Sequence, residues 1–104
     1  MDIRLTPQAR RDLQDIRRFT VGTWGNDQWH RYFTGLVSAF ERVMRDEGCG
    51  RPRDSLRYGM RSLDYQKHLI FFERITHAGG EPVILRIVHQ RRDLAALHYH
   101  DDLP

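Results

Sequence analysis

Pro82 to Asp93 reads PVILRIVHQRRD, and the character of this stretch decides what fold the chain can form. Val83, Ile84, Leu85, Ile87 and Val88 make a nearly unbroken run of branched aliphatic residues. Gly79-Gly80 bounds it on one side and a charged tail on the other, which is the pattern of a strand. A run with so little alternation suits a strand covered on both faces, interior to its sheet. Pro82 costs nothing at a strand's first position, where its missing donor is not needed. Arg86 is the exception. A charge inside such a run needs a partner, the rim of the sheet, or a ligand. His89, Gln90, Arg91 and Arg92 follow at once, so cationic and hydrogen-bonding groups gather where the strand ends.

Upstream of this stretch the same period holds. Tyr58 to Asp64 reads as a strand, Asp64-Tyr65-Gln66 as a turn, and Lys67 to Thr76 (KHLIFFERIT) as the next strand. His77 to Glu81 is a second turn, and the strand from Pro82 to Val88 completes a meander. Turns this short force antiparallel pairing. Phe71-Phe72 places one ring on each face, again the mark of a sheet covered on both sides. Residues 51–56, RPRDSL, read as a charged loop around Pro52.

Before residue 48 the period is helical. Residues 2–6 (DIRLT) alternate like a short first strand, and Thr6-Pro7 then supplies an N-cap and a first helical residue. Ala9, Leu13, Ile16 and Thr20 recur at three- and four-residue steps in a helix ending near Trp24. Its other face carries Arg10, Arg11, Arg17 and Arg18, a solvated surface with Asp12 and Asp15 as local partners. Gly25-Asn26-Asp27 breaks this helix and starts a second one. There Trp29, Phe33, Leu36, Phe40 and Val43 form the apolar stripe, and Gly48-Cys49-Gly50 ends it. The aromatics Trp24, Trp29, Tyr32, Phe33 and Phe40 are expected in the core first and at a binding surface second. Two amphipathic helices on a short turn pack as an antiparallel hairpin.

The expected fold is therefore α+β: an N-terminal strand, an antiparallel helical hairpin, a three-stranded antiparallel meander and a short tail. The tail, from Leu94, begins as a short helix at Leu94 to Leu97. All 104 residues make one domain, enough for one modest core. No apolar run approaches the length that crosses a bilayer, and the N-terminus has no basic-then-apolar leader. Cys49 is the single cysteine, so no internal disulfide is expected, in keeping with a cytoplasmic location. The net charge is +3, and of 17 positive residues sixteen are Arg, the side chain best suited to carboxylate or phosphate.

For chemistry, a nuclease acting without a metal needs cations on the scissile phosphate and groups that move protons. Arg61, Lys67, His68, Arg86 and His89 are the available set, and Arg61, Arg86 and His89 would converge on one face if the sheet registers that way. The opposing reading is a basic surface that packs against an acidic segment of another protein. His98-x-His100-Asp101-Asp102 holds metal-ligand residue types but no supporting scaffold, and reads as a solvated tail. No metal and no other cofactor is expected.

The segments GRPRDSLRYGMRSL (Gly50 to Leu63), HLIFFER (His68 to Arg74) and ILRIVHQRRD (Ile84 to Asp93), with the opening RLTPQARRDLQDI, resemble the ParE toxins of the RelE/ParE superfamily. The resemblance implies the toxin half of a type II toxin–antitoxin pair, held inactive by a ParD-like antitoxin. It implies a poison of DNA gyrase rather than an enzyme, with operator DNA contacted only indirectly, through the antitoxin. The RelE branch of the same fold instead cleaves ribosome-bound mRNA, and His89 would then move the proton. The functional surface expected is Arg61, Arg86, His89, Arg91 and Arg92, with Arg86→Ala expected to weaken function without unfolding. Apolar rows on the helical hairpin are the expected antitoxin dock.

Overall fold

The structure, a computed structural model, describes residues 3–46, 48–74, 80–97 and 99. The elements run β1 (Arg4–Leu5), α1 (Pro7–Trp24), α2 (Asn26–Arg45), β2 (Arg51–Pro52), β3 (Arg61–Tyr65), β4 (His68–Arg74) and β5 (Pro82–His89). A 3-10 turn at Leu94–Ala96 stands where a short helix was expected. The sheet order is β1-β5-β4-β3-β2, with β1 parallel to β5 and every other pair antiparallel. The expected α+β order is therefore present, and β5 lies inside the sheet.

Three boundaries differ from the sequence reading. The meander's first strand starts at Arg61 rather than Tyr58, because residues 54–59 turn instead of extending. The first two residues of the expected 51–56 loop are β2, an edge strand against Arg61 and Ser62. Gly50 permits it: its φ is 75°, and a Cβ there would strike the Ser62 carbonyl. The turn between β3 and β4 is only Gln66-Lys67, with Gln66 at a φ of 55°. Asp2, the last two residues of the expected Lys67 to Thr76 strand, most of the His77 to Glu81 turn, and His98, His100, Asp101 and Asp102 lie outside the described residues.

Two apolar layers form, one on each face of the sheet. Ala9, Leu36, Phe40 and Val43 from the helices meet Leu63, Ile70, Phe72, Ile84 and Ile87 on the near face. On the far face Met60, Leu69, Phe71, Val83, Leu85, Val88 and Tyr99 cluster, with Leu56, Leu94 and Leu97 packed against them. The chain's own loop and tail thus cover that face. Phe71 and Phe72 point to opposite layers, as their adjacency in a strand requires.

Strict alternation along β5 would drive Arg86 into the helix-side core beside Ile84. A bulge prevents this. Phe72 pairs with Ile84 but Phe71 pairs with Arg86, so Leu85 is the extra residue. Ile84 and Ile87 both reach the near layer, while Arg86 falls opposite Phe71 on the far side.

Arg86 then finds its partner on α1. Its Nε and Nη2 donate to the two carboxylate oxygens of Asp12, at 2.8 and 3.0 Å. The same carboxylate accepts the Ile87 N–H at 2.9 Å. This closes an accounting problem at the sheet edge, since β1 pairs only with Val83 and Ile84. Beyond β1, Thr6 donates from Oγ1 to the Leu85 carbonyl at 2.8 Å while accepting the Ala9 N–H as N-cap at 3.0 Å. Backbone groups that a longer strand would have paired are satisfied by two side chains flanking the start of α1. Of the three possibilities for Arg86, the structure takes the partner.

Each side chain of the Asp12–Arg86 pair is only 12% exposed, so removing one member strands the other. Arg86→Ala is accordingly expected to cost about 3 kcal/mol of folding stability, read from urea midpoints. A cost below ~0.5 kcal/mol, the level of an exposed pair, would contradict the assignment.

Candidate functional site

Where α1, the start of α2 and the β3–β4 turn come together, they enclose an open cleft of about 630 Å³. Ile16, Phe19, Thr20 and Trp24 of α1 form one wall. Lys67, His68, Ile87, His89 and Arg92 form the other, with Tyr32 and Gln28 from α2. Its volume is that of an ordinary ligand or peptide-anchor pocket. Phe19 and Trp24 stand 67% and 69% exposed at its lip. That corrects the expectation that Trp24 is a core residue. It is the last residue of α1, past the point where the sheet can cover it. Phe33, expected in the core, is also partly exposed and stacks on the buried Trp29, with ring centroids 5.2 Å apart.

The polar floor is a chain of rings. The Tyr32 hydroxyl and His68 Nδ1 share a hydrogen bond at 2.6 Å. His68 meets His89 edge to face, with centroids 5.6 Å apart, because the two residues pair directly across β4 and β5. Tyr65 supports Tyr32 from below, donating its hydroxyl to the Tyr32 carbonyl at 3.0 Å. Gly35 makes room for this: a Cβ on that helical residue would collide with the Tyr65 hydroxyl. His89 is held by its own strand end, its Nδ1 accepting the Arg91 N–H at 3.1 Å.

Burial lowers the His68 pKa from its ordinary value of 6.5, and the facing His89 lowers it further, while the Asp12 carboxylate opposes both. Burial also raises the Tyr32 pKa, so its phenol stays protonated. Cys49 is buried and its thiol is pushed up by that burial, the reverse of an activated nucleophile.

The residues singled out from sequence do not converge. His89 and Arg92 line the cleft, and Arg91 is exposed beside it. Arg61 pairs with Phe72 on β4, four residues along the strand from His68, and so lies toward the other end of that strand. Its guanidinium is spent on backbone carbonyls: Nε donates to Cys49 and Nη2 to Gly48 and Gly50, at 3.0, 3.1 and 3.0 Å. Arg86 is held by Asp12, so its substitution is expected to cost folding stability, where the sequence alone led to an expected loss of function without unfolding. Asp12 is therefore no local partner for the arginines of α1; Asp15 is one, lying 3.5 Å from Arg18. Sequence reasoning passed over Phe19, although it sits off the Ile16–Thr20 stripe, and took Tyr32 for core. Among the described residues no group of three or more His, Cys, Asp or Glu is arranged to hold a metal.

The lowered His68 pKa fixes a sign. Below pH 6.5 the unfolded chain protonates this histidine more readily than the fold does, so stability falls as pH drops through that value. His68→Gln is expected to shrink the loss of urea midpoint between about pH 7.5 and 5.5. An unchanged loss would remove His68 as its source.

The comparisons with known proteins agree with one another. Residues 3–94 match the family model described as the ParE toxin of the type II toxin–antitoxin system, parDE. The chain is 36% identical over 90 residues to Toxin ParE1 of Mycobacterium tuberculosis, covering 86% of this chain and 90% of that one. It is 30% identical over 93 residues to Toxin ParE1 of Caulobacter vibrioides, covering 89% and 93%. A solved structure described as a chromosomal ParDE TA system from P. aeruginosa superposes with a TM-score of 0.68 at 24% identity, covering 86% of this chain and 95% of that one. It carries the same fold. No helix among the described residues is long and apolar enough to cross a membrane. With the family model matched over nearly its whole length, this chain belongs to the ParE toxin family of type II toxin–antitoxin systems.

Proposed function

We propose that the chain inhibits DNA gyrase by binding it, and that a ParD-like antitoxin neutralises it by laying an amphipathic segment into the α1–sheet cleft. One observation carries the choice of binding over catalysis. Of Arg61, Arg86 and His89, the three expected to converge in a metal-free nuclease, Arg86 is engaged by Asp12 and Arg61 by three carbonyls, and His89 alone of the three lines the cleft. What the cleft offers instead is an exposed aromatic lip over an apolar wall, with Lys67 and Arg92 on the opposite side. Aromatic anchors of this kind carry most of the binding energy in a protein interface. A cationic rim suits an acidic or amphipathic segment that folds as it binds.

A second reading is favoured by a specific feature. The Tyr32–His68–His89 chain brings two imidazoles together, with Lys67 and Arg92 lining the same cleft, and those are groups an mRNA endoribonuclease could use. Purified toxin incubated with gyrase and supercoiled plasmid separates the two. Linear DNA that antitoxin suppresses supports gyrase poisoning; mRNA cut in a translation extract, without linear plasmid, moves the protein to the nuclease reading. The docking half is tested with Phe19→Ala/Trp24→Ala. This variant is expected to lose about 2 kcal/mol or more of antitoxin affinity, some thirtyfold in Kd. Unchanged affinity would place the antitoxin elsewhere.

A further inference from the structure

The outer face of α1 is a charged surface that neither the core nor the cleft uses. Arg10, Arg11, Gln14, Arg17 and Arg18 are all exposed. At 3.6 residues per turn they fall within an arc of about 120°, and each Arg has a counterpart seven residues along, about 10.5 Å up the axis. Asp12 is turned inward to Arg86. Asp15, at the flank, lies 3.5 Å from Arg18 with both side chains more than 70% exposed, a pair of little energetic weight. Arg10, Arg17 and Arg18 therefore present their guanidinium groups along one side of a helix whose other face is fixed to the sheet.

The chemistry of the face selects its partner. A protein interface needs an apolar or aromatic centre, and none of these five side chains supplies one. A membrane-surface helix must sink an apolar face beside its charges, and the apolar stripe of α1 is already packed on the sheet. Single-stranded nucleic acid is gripped by aromatic rings among the cations, whereas Phe19 and Trp24 border the cleft instead. Backbone phosphates of a duplex require none of these, only donors of the bidentate, cationic kind. We propose that the outer face of α1 binds the phosphate backbone of duplex DNA without reading its sequence. The toxin would then contribute DNA affinity of its own, in addition to whatever its antitoxin supplies.

The test uses the full chain and a fluorescein-labelled duplex of arbitrary sequence, about 20 base pairs long, followed by anisotropy across a salt series. Wild-type protein should bind at low salt with a log–log salt slope of about 2 to 3, matching about three neutralised phosphates. Arg10→Gln/Arg17→Gln should weaken binding at least about fivefold and lower the slope by about 2. Gln keeps helix propensity, and circular dichroism with a urea midpoint confirms that the fold survives. The charge-matched Arg42→Gln/Arg45→Gln variant, at the exposed end of α2, should change affinity less than about twofold. Equal weakening by both variants, or no duplex binding at low salt, would overturn the proposal. So would displacement of the duplex by polyglutamate or phosphatidylserine vesicles at matched charge, which would assign the face to an acidic protein or a lipid surface.

Discussion

One carboxylate, that of Asp12, ties α1 to the open edge of β5. It binds the Arg86 guanidinium through both oxygens and also accepts the Ile87 N–H. The need for it follows from the chain's first strand. β1 is two residues long and covers only the start of β5, so the rest of that edge would present unpaired backbone to solvent or to other chains. A longer β1 would have delayed the start of α1 and lost the Thr6 cap. The bulge at Leu85 completes the arrangement by taking Arg86 out of the helix-side core and admitting Ile87 in its place. Loss of either charge would leave the other nearly buried without a partner, which is why this pair is costly to break even though ion pairs as a class stabilise little.

The cleft inherits its shape from that anchor. Asp12 fixes the second turn of α1 against the end of β5, so Ile16 and Phe19, one and two turns further on, stand opposite His68 and His89. The two histidines face each other because they are register partners, and Tyr32 reaches them because Gly35 allows Tyr65 close against α2. The same geometry sets what the arginines touch. Arg61 and Arg86 are bonded within the fold, Arg92 borders the cleft, and the arginines of α1 face outward.

Much of the fold was legible because it rests on local rules. Thr6-Pro7 announced the start of α1, Phe71-Phe72 announced a two-faced sheet, and the aliphatic run of β5 announced an interior strand. The site was less legible for equally physical reasons. Asp12 and Arg86 are 74 residues apart, and nothing within either segment names the other. A bulge changes which side chains share a face without changing the apolar pattern that defines the strand. β2 is too short to show any period and depends on the backbone freedom of Gly50. Trp24 and Phe19 have core-like identities and surface positions, a mismatch visible only once the end of α1 is seen to overhang the sheet. The family resemblance carried the toxin assignment, and it could not say that Arg86 is occupied within the fold.

The claim on which this account turns is that Asp12 closes the open edge of β5. Native-state hydrogen exchange at the Ile87 amide measures it directly. The account predicts that this amide exchanges only through global unfolding, as slowly as interior amides of β4. Exchange of Ile87 by local opening, at a rate near that of an exposed edge amide while β4 stays protected, would contradict it.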